Sequence, residues 1–134
     1  MKILIVEPDN EIAALTSMYC HLSNVVATTT DTFQDAYELA CTIDFDGFIV
    51  DIPVCENYVF DDIDKLRQYG QRQQMKQRFV GTAASIIPSS CAKALMHLDC
   101  LYPKPVSLQL LVDAVFGTSN ALESPVTRAQ QKFM

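Results

Sequence analysis

The stretch Phe48-Ile49-Val50-Asp51 is a short apolar run that ends in a carboxylate. Three further runs have the same form: Ile3-Leu4-Ile5-Val6 leads into Glu7, Phe79-Val80-Gly81 into Thr82, and Cys100-Leu101-Tyr102-Pro103 into Lys104-Pro105. Short apolar runs of this kind predict buried strands. The carboxyl ends of parallel strands lie along one edge of an open sheet, where ligands bind. We therefore expect these polar side chains to gather at that edge.

Segments with helical spacing separate the predicted strands. Asp9 or Asn10 can cap a first helix, Asp31 or Thr32 a second, and Asp61 or Asp62 can open a third that Gly70 ends or weakens. A fourth helix is predicted between 85 and 96, and a fifth begins after Ser107 and closes at Gly117. With one more strand at 25–28, five strands alternate with five helices. This alternation predicts a single α/β domain with a parallel sheet covered by helices on both faces.

Size and charge exclude several classes of function. A chain of 134 residues is one domain by size, and its net charge of −6 argues against direct binding of nucleic acid, which needs a basic face. The first apolar run is too short for a signal peptide, and no stretch approaches a membrane span. The five cysteines are odd in number and lack Cys-x-x-Cys spacing, which is typical of buried, reduced cysteines. We therefore expect a cytoplasmic protein without a membrane partner.

The combination of Asp51, Thr82 and Lys104-Pro105 resembles the receiver domain of two-component response regulators. The separations fit that family: 31 residues from Asp51 to Thr82 and 22 from Thr82 to Lys104. The resemblance covers residues 1–117, so 118–134 is expected to be a C-terminal tail or linker. It implies a flavodoxin-like (βα)5 fold with the strand order 2-1-3-4-5, an order that the alternation of strands and helices alone does not prove.

The resemblance also implies a role for each residue of this set. Asp51 would accept a phosphoryl group from a histidine kinase or phosphotransfer protein, Thr82 would offer its hydroxyl to a phosphoryl oxygen, and Lys104 would balance the charge. In the family the Lys-Pro bond is typically cis. The implied protein is a regulatory phosphoacceptor, with at most slow self-dephosphorylation, and not an enzyme. Phosphorylation would change the face formed by helix 4, strand 5 and helix 5, which would form a homodimer or contact an output domain or effector protein.

The metal side of the set departs from the family. Receivers usually carry two adjacent acids after the first strand, and the second binds Mg²⁺ directly, whereas this chain reads Glu7-Pro8. Glu7 itself, or Asp9, could replace the missing ligand beside the Asp51 carboxylate and the backbone carbonyl of Pro53. Because Mg²⁺ requires near-octahedral oxygen ligands, we expect weak Mg²⁺ binding and slow phosphorylation.

A second departure concerns the output of the signal. The aromatic residue that receivers carry three positions before the lysine is Leu101 here, and Tyr102 follows one place later. Adjacent strand residues face opposite sides of a sheet, so Tyr102 cannot simply replace it. Two functions therefore stay open: a phosphorylatable receiver, and a degenerate receiver that binds partner proteins without phosphorylation. A haloacid-dehalogenase-like phosphatase and a flavodoxin are disfavoured, because Pro53 occupies the position of the second acid and the loop at 7–10 is acidic.

Overall fold

The fold is a five-stranded parallel sheet in which the strands, numbered along the chain, lie in the order 2-1-3-4-5. It is seen in a computed structural model that describes residues 1–53, 58–84 and 97–117, without the side chains of Tyr58 and Phe60. The predicted parallel sheet and its order are confirmed. The predicted helix between 85 and 96, the loop position of Cys55 and the tail at 118–134 lie outside the described residues.

The described strands and helices alternate along the chain except between the fourth and fifth strands, where residues 85–96 lie outside the described ranges. The strands are β1 (Lys2–Val6), β2 (Val26–Thr30), β3 (Gly47–Ile52), β4 (Arg78–Ala83) and β5 (Cys100–Pro103). The helices are α1 (Asn10–Leu22), α2 (Phe33–Thr42), α3 (Tyr58–Arg72) and α4 (Leu108–Phe116). Here α4 is the fifth helix predicted from the sequence.

Three helices begin at a side chain that accepts hydrogen bonds from the first turn. Asp9 caps α1, Thr32 caps α2 and Ser107 caps α4, as the sequence predicts. Gly117 ends α4 in the left-handed conformation with φ 76°, which glycine adopts without steric cost.

The sheet separates two apolar cores. One lies on the side of α2 and α3 and contains Leu4, Phe48 and Phe79, with the rings of Phe48 and Phe79 stacked at a centroid distance of 4.5 Å. The other lies on the side of α1 and α4 and contains Ile5 and Ile49. Helices thus cover both faces, and the strands β1, β3, β4 and β5 contribute alternate residues to the two cores.

The predicted start of α3 was wrong, and of the two roles left open for Gly70, ending the helix is excluded. The helix begins at Tyr58, before Asp61, and continues through Gly70 to Arg72. Val59, Ile63 and Leu66 are fully buried at helical spacing, and this packing fixes the helix independently of any capping acid. Gly70 packs directly against the side chain of Gln77, and a Cβ at position 70 would collide with it. Gln77 in turn donates a hydrogen bond to the carbonyl of Phe45 at 2.8 Å.

Two further expectations need correction. β2 runs from Val26 to Thr30 and not over 25–28. Cys20 and Cys100 are buried free thiols, as expected, but Cys41 is exposed. None of the helices within the described ranges is long and apolar enough to cross a bilayer.

Candidate functional site

Side-chain alternation places the four predicted site residues on one face of the sheet. Ile5, Ile49, Val80 and Tyr102 all belong to the core under α1 and α4. Residues two positions apart along a strand face the same side. Glu7, Asp51, Thr82 and Lys104 each follow one of these core residues by two positions, and all four line a single cavity on that face.

Lys104 joins two acidic side chains at the edge of the sheet. Its Nζ lies 2.6 Å from Oε1 of Glu7 and 2.7 Å from Oδ1 of Asp51. The Lys104-Pro105 peptide bond is cis, as the resemblance implies. The side chain of Lys104 is 19% exposed, that of Glu7 6% and that of Asp51 14%. This ion cluster is therefore largely buried.

Glu7 carries the main electrostatic cost of the cluster. Burial raises the pKa of its carboxyl, and the charge of Asp51 raises it further. The hydrogen bond and charge of Lys104 lower the pKa, but not enough to offset burial. Oε1 accepts the hydrogen bond from Lys104, and a backbone hydrogen bond from Asp9 also lowers the pKa of the carboxyl. Oε2 itself is buried.

The balance is opposite at Lys104. Burial alone lowers the pKa of its ammonium, but the hydrogen bonds and charges of Asp51 and Glu7 together raise it above the ordinary value. Lys104 therefore stays charged at neutral pH.

Thr82 lies beside the acceptor position. It pairs with Asp51 across the β3–β4 ladder and is buried, with 4% exposure. The structure thus brings Asp51, Thr82 and Lys104 together, as the sequence predicts, while their roles in phosphoryl transfer stay predictions. The direct pairing of Glu7 with Lys104 was missed, because the sequence reasoning assigned Glu7 to a metal ion. Glu7 and Lys104 each follow a core residue of the same sheet face by two positions, and this common spacing could have predicted their pairing.

Solved structures with the same architecture are receiver domains. The response-regulator receiver domain (CheY-like) from Methylobacillus flagellatus aligns with a TM-score of 0.70 and 17% identity, over 89% of this chain and 98% of that one. The chain has the receiver fold of response regulators. No protein-family model matches the chain, and no curated protein matches it significantly in sequence.

Two other structures with this receiver fold differ in their reported behaviour. An atypical orphan response regulator, described with a phosphorylation-independent regulatory mechanism, aligns with a TM-score of 0.71 and 13% identity, over 92% of this chain and 99% of that one. The response regulator TrrA from Thermotoga maritima, solved with Mg²⁺-BeF, aligns with a TM-score of 0.70 and 15% identity, over 88% of this chain and 98% of that one. Overall similarity therefore does not discriminate between the two kinds of receiver.

The donor set of this receiver fold does not fit Mg²⁺. Glu7 and Asp51 both bind the Lys104 ammonium, and Pro8 supplies no carboxylate. Asp9 is used elsewhere, since its Oδ1 accepts from the backbone N–H groups of Glu11 and Ile12 at 3.0 and 3.2 Å. Within residues 1–53, 58–84 and 97–117, no group of three His, Cys, Asp or Glu residues is placed to hold a metal ion. The metal role of Glu7, Asp51, Asp9 and the Pro53 carbonyl stays a prediction that this geometry does not favour.

The aromatic position of the receiver fold is also changed. Leu101 packs into the core on the α2–α3 side, whereas Tyr102 packs under α1 and α4 and pairs with Thr82 across the β4–β5 ladder. The two residues face opposite sides of the sheet, as expected. An aromatic side chain thus stands next to Thr82, but on the face of the ion cluster and not on the face that Leu101 occupies.

We predict that Glu7→Gln stabilises the protein at neutral pH. The raised pKa of Glu7 means that the folded state binds its proton more tightly than the unfolded state, so stability falls as pH rises through the folded-state pKa. The variant should have a higher free energy of unfolding than wild type at neutral pH. This gain should vanish below pH 4.5, which is the pKa of an unperturbed glutamate. Urea denaturation across this pH range measures it. The control is Glu38→Gln, which removes an exposed glutamate. A wild type more stable than Glu7→Gln at neutral pH would contradict the assignment.

We predict that Lys104→Met destabilises the protein by about 3 kcal/mol at neutral pH, because two largely buried carboxylates lose their counter-ion. The loss should shrink under acidic conditions, where the carboxyl groups become protonated. Urea denaturation checks both effects, with Lys76→Met as the matched control because Lys76 is exposed. That control should stay within about 0.5 kcal/mol of wild type. Equal losses in the two variants would refute the role given to Lys104.

Proposed function

We propose that this chain is a receiver-type signalling domain that regulates partner proteins by direct contact and without Mg²⁺-dependent phosphorylation. The observation that carries the proposal is the Glu7–Lys104–Asp51 ion cluster, in which one internal ammonium binds both acids. The role is regulatory and not enzymatic, and we place it in the cytoplasm. The atypical orphan regulator with the same fold offers a precedent for such a mechanism.

Exposed apolar side chains support a role in protein contacts. On α1, Leu15, Met18 and Leu22 are 56%, 59% and 78% exposed, and their spacing puts them on one side of the helix. This surface suits a helical partner such as a histidine kinase or phosphotransfer protein. On α4, Leu110 and Phe116 are also exposed and belong to the face proposed for a homodimer, an output domain or an effector protein.

A second candidate function is phosphoryl acceptance at Asp51. It is favoured by the acceptor side of the site, where Asp51 pairs with Thr82 in the ladder and binds Lys104 at 2.7 Å. Under this alternative a partner kinase would transfer the phosphoryl group to a carboxylate oxygen of Asp51, and the resulting conformational change would reach the partner-binding surface. The two candidates differ in whether a modified Asp51 is needed for partner binding.

We expect no phosphoryl adduct on this protein under conditions that phosphorylate a typical receiver. The test is incubation with acetyl phosphate or phosphoramidate and Mg²⁺, followed by intact mass spectrometry and measurement of oligomer size. Asp51→Asn is the control for the acceptor, and a phosphorylatable receiver is the control for the reagents. An acid-labile adduct of one phosphoryl group that is absent in Asp51→Asn would instead establish the second candidate.

We predict that the wild-type protein binds Mg²⁺ weakly and that Pro8→Asp tightens binding by about tenfold or more, which corresponds to about 1.4 kcal/mol. The reason is that an acid at position 8 adds an oxygen ligand to a site that lacks one. Isothermal titration calorimetry measures the affinity. Pro8→Asn is the matched control, because it makes the same backbone change without the charge. Low-micromolar Mg²⁺ binding by the wild type would contradict the conclusion that this site lacks a necessary oxygen ligand.

A further inference from the structure

The outermost strand of the sheet, β2, has one edge that no other strand of the described chain covers. Its sequence, VATTT, contains no charged residue and no proline, and it pairs with β1 residue by residue, without a bulge. The side chains of Val26 and Thr29 are exposed. An edge strand of this kind presents main-chain N–H and C=O groups to a further strand.

The opposite edge of the same sheet is protected by its sequence. β5 is only four residues long and ends in Pro103, which has no N–H group to donate, and Pro105 follows two residues later. Short edge strands and prolines are among the features by which natural proteins prevent an edge from pairing with another chain. These features are present at β5 and missing at β2, which indicates that β2 is the edge open to pairing.

The hydrogen bonds of β2 to β1 show which main-chain groups face outwards. The N–H of Val26 donates to the residue that precedes β1, and the carbonyl of Thr30 accepts from the residue that follows β1, each at 3.0 Å. In a parallel ladder, alternate residues direct both of their main-chain groups to the same neighbouring strand. The N–H and C=O groups of Ala27 and Thr29 therefore point away from β1, to the outer edge.

We propose that β2 is a dimerisation strand, against which a second copy of this chain places its own β2 in antiparallel orientation. With Thr28 of both copies at the two-fold axis, Ala27 of each copy lies opposite Thr29 of the other, and each such pair exchanges both of its N–H···O bonds. Thr28 then faces Thr28, which is a favourable cross-strand pair. This interface is distinct from the α1 and α4 surfaces assigned to partner proteins and does not depend on whether Asp51 accepts a phosphoryl group.

The charges at the two ends of β2 favour a second copy as the occupant. Lys2 pairs with Val26 at the start of β2, Asp31 follows its last residue, and both charged side chains are exposed. Antiparallel pairing brings the end of one β2 beside the start of the other, so Asp31 of each copy approaches Lys2 of its partner. Their backbones would be two strand spacings apart, roughly 10 Å, before the side chains reduce that separation. Opposite charges therefore attract each other at both ends of the interface.

A nearby acid does not reverse this balance. The carboxylate of Asp46 accepts a hydrogen bond from the main-chain N–H of Lys2 at 2.8 Å. Asp46 directly precedes β3, which lies on the side of β1 away from β2. It is therefore farther from the proposed interface than Lys2 is.

The first test measures dimerisation by sedimentation velocity of the full-length protein over a wide range of concentrations, at neutral pH and low ionic strength. We expect a reversible dimer. Thr29→Pro removes an outward N–H group but none that donates to β1, so it should weaken dimerisation at least about tenfold. Thr29→Val keeps the N–H group and should dimerise like wild type. The amide NMR spectrum of each variant confirms that it is folded.

Two outcomes of this test would overturn the proposal. One is a wild type that stays monomeric at every concentration. The other is a dimer that Thr29→Pro leaves unchanged. A dimer that is weakened by Leu110→Asn and not by Thr29→Pro would belong to the exposed face of α4 instead, and would therefore also refute pairing through β2.

An exchange of charges tests the antiparallel orientation. Lys2→Glu and Asp31→Lys should each weaken the dimer several-fold at low ionic strength, because each brings like charges together. The double variant restores opposite charges and should recover most of the wild-type affinity. Within one copy the two residues lie at opposite ends of the β1–β2 ladder, so recovery reports a contact between copies. Single variants that dimerise like wild type, or a double variant no stronger than either, would contradict the proposed orientation.

Discussion

The ammonium group of Lys104 holds the carboxyl edge of the sheet together. In the observed strand order, two strands lie between β1, which leads into Glu7, and β5, which leads into Lys104. Neighbouring strands are spaced about 4.8 Å apart, so the backbones that carry these residues are roughly 14 Å apart. Only long side chains can meet over such a distance, and glutamate and lysine do so at 2.6 Å. The extra methylene of Glu7, compared with aspartate, thus serves contact with Lys104.

Strict alternation along the strands makes this contact available. Every site residue lies two positions after a residue of the core under α1 and α4, which fixes its face by the same rule that fixes the core. A register shift of one residue in β3 would move Asp51 to the opposite face, away from Lys104. The stacked rings of Phe48 and Phe79 on the other face oppose such a shift. Packing on one side of the sheet therefore maintains the charge geometry on the other.

The sequence predicted the strands, the cap of α4 and the gathering of Asp51, Thr82 and Lys104, because these depend on local patterns of burial and hydrogen bonding. For the caps of α1 and α2 it left two candidates each. The strand order came from the resemblance, since alternation of strands and helices is compatible with several orders. The extent of α3 was not predictable from Asp61 or Gly70, because tertiary packing of Val59, Ile63 and Leu66 determines it. The use of Asp9 as a cap and of Glu7 as a partner of Lys104 depends on competition between partners, which local sequence does not resolve.

The receiver fold alone leaves the chemistry at this edge undetermined. A regulator solved with Mg²⁺-BeF and one described as phosphorylation-independent share the fold with this chain at nearly equal TM-scores of 0.70 and 0.71. The shared fold does not decide between these behaviours, so the donor atoms at the edge of the sheet have to be considered for this chain. In this chain Pro8 removes a carboxylate, and Lys104 neutralises one of the two acids that remain. A divalent ion would have to displace an ammonium that is already hydrogen-bonded to both carboxylates, and it would gain too few oxygen ligands in return. The local charge balance, and not the fold, therefore favours a receiver that acts without a metal ion.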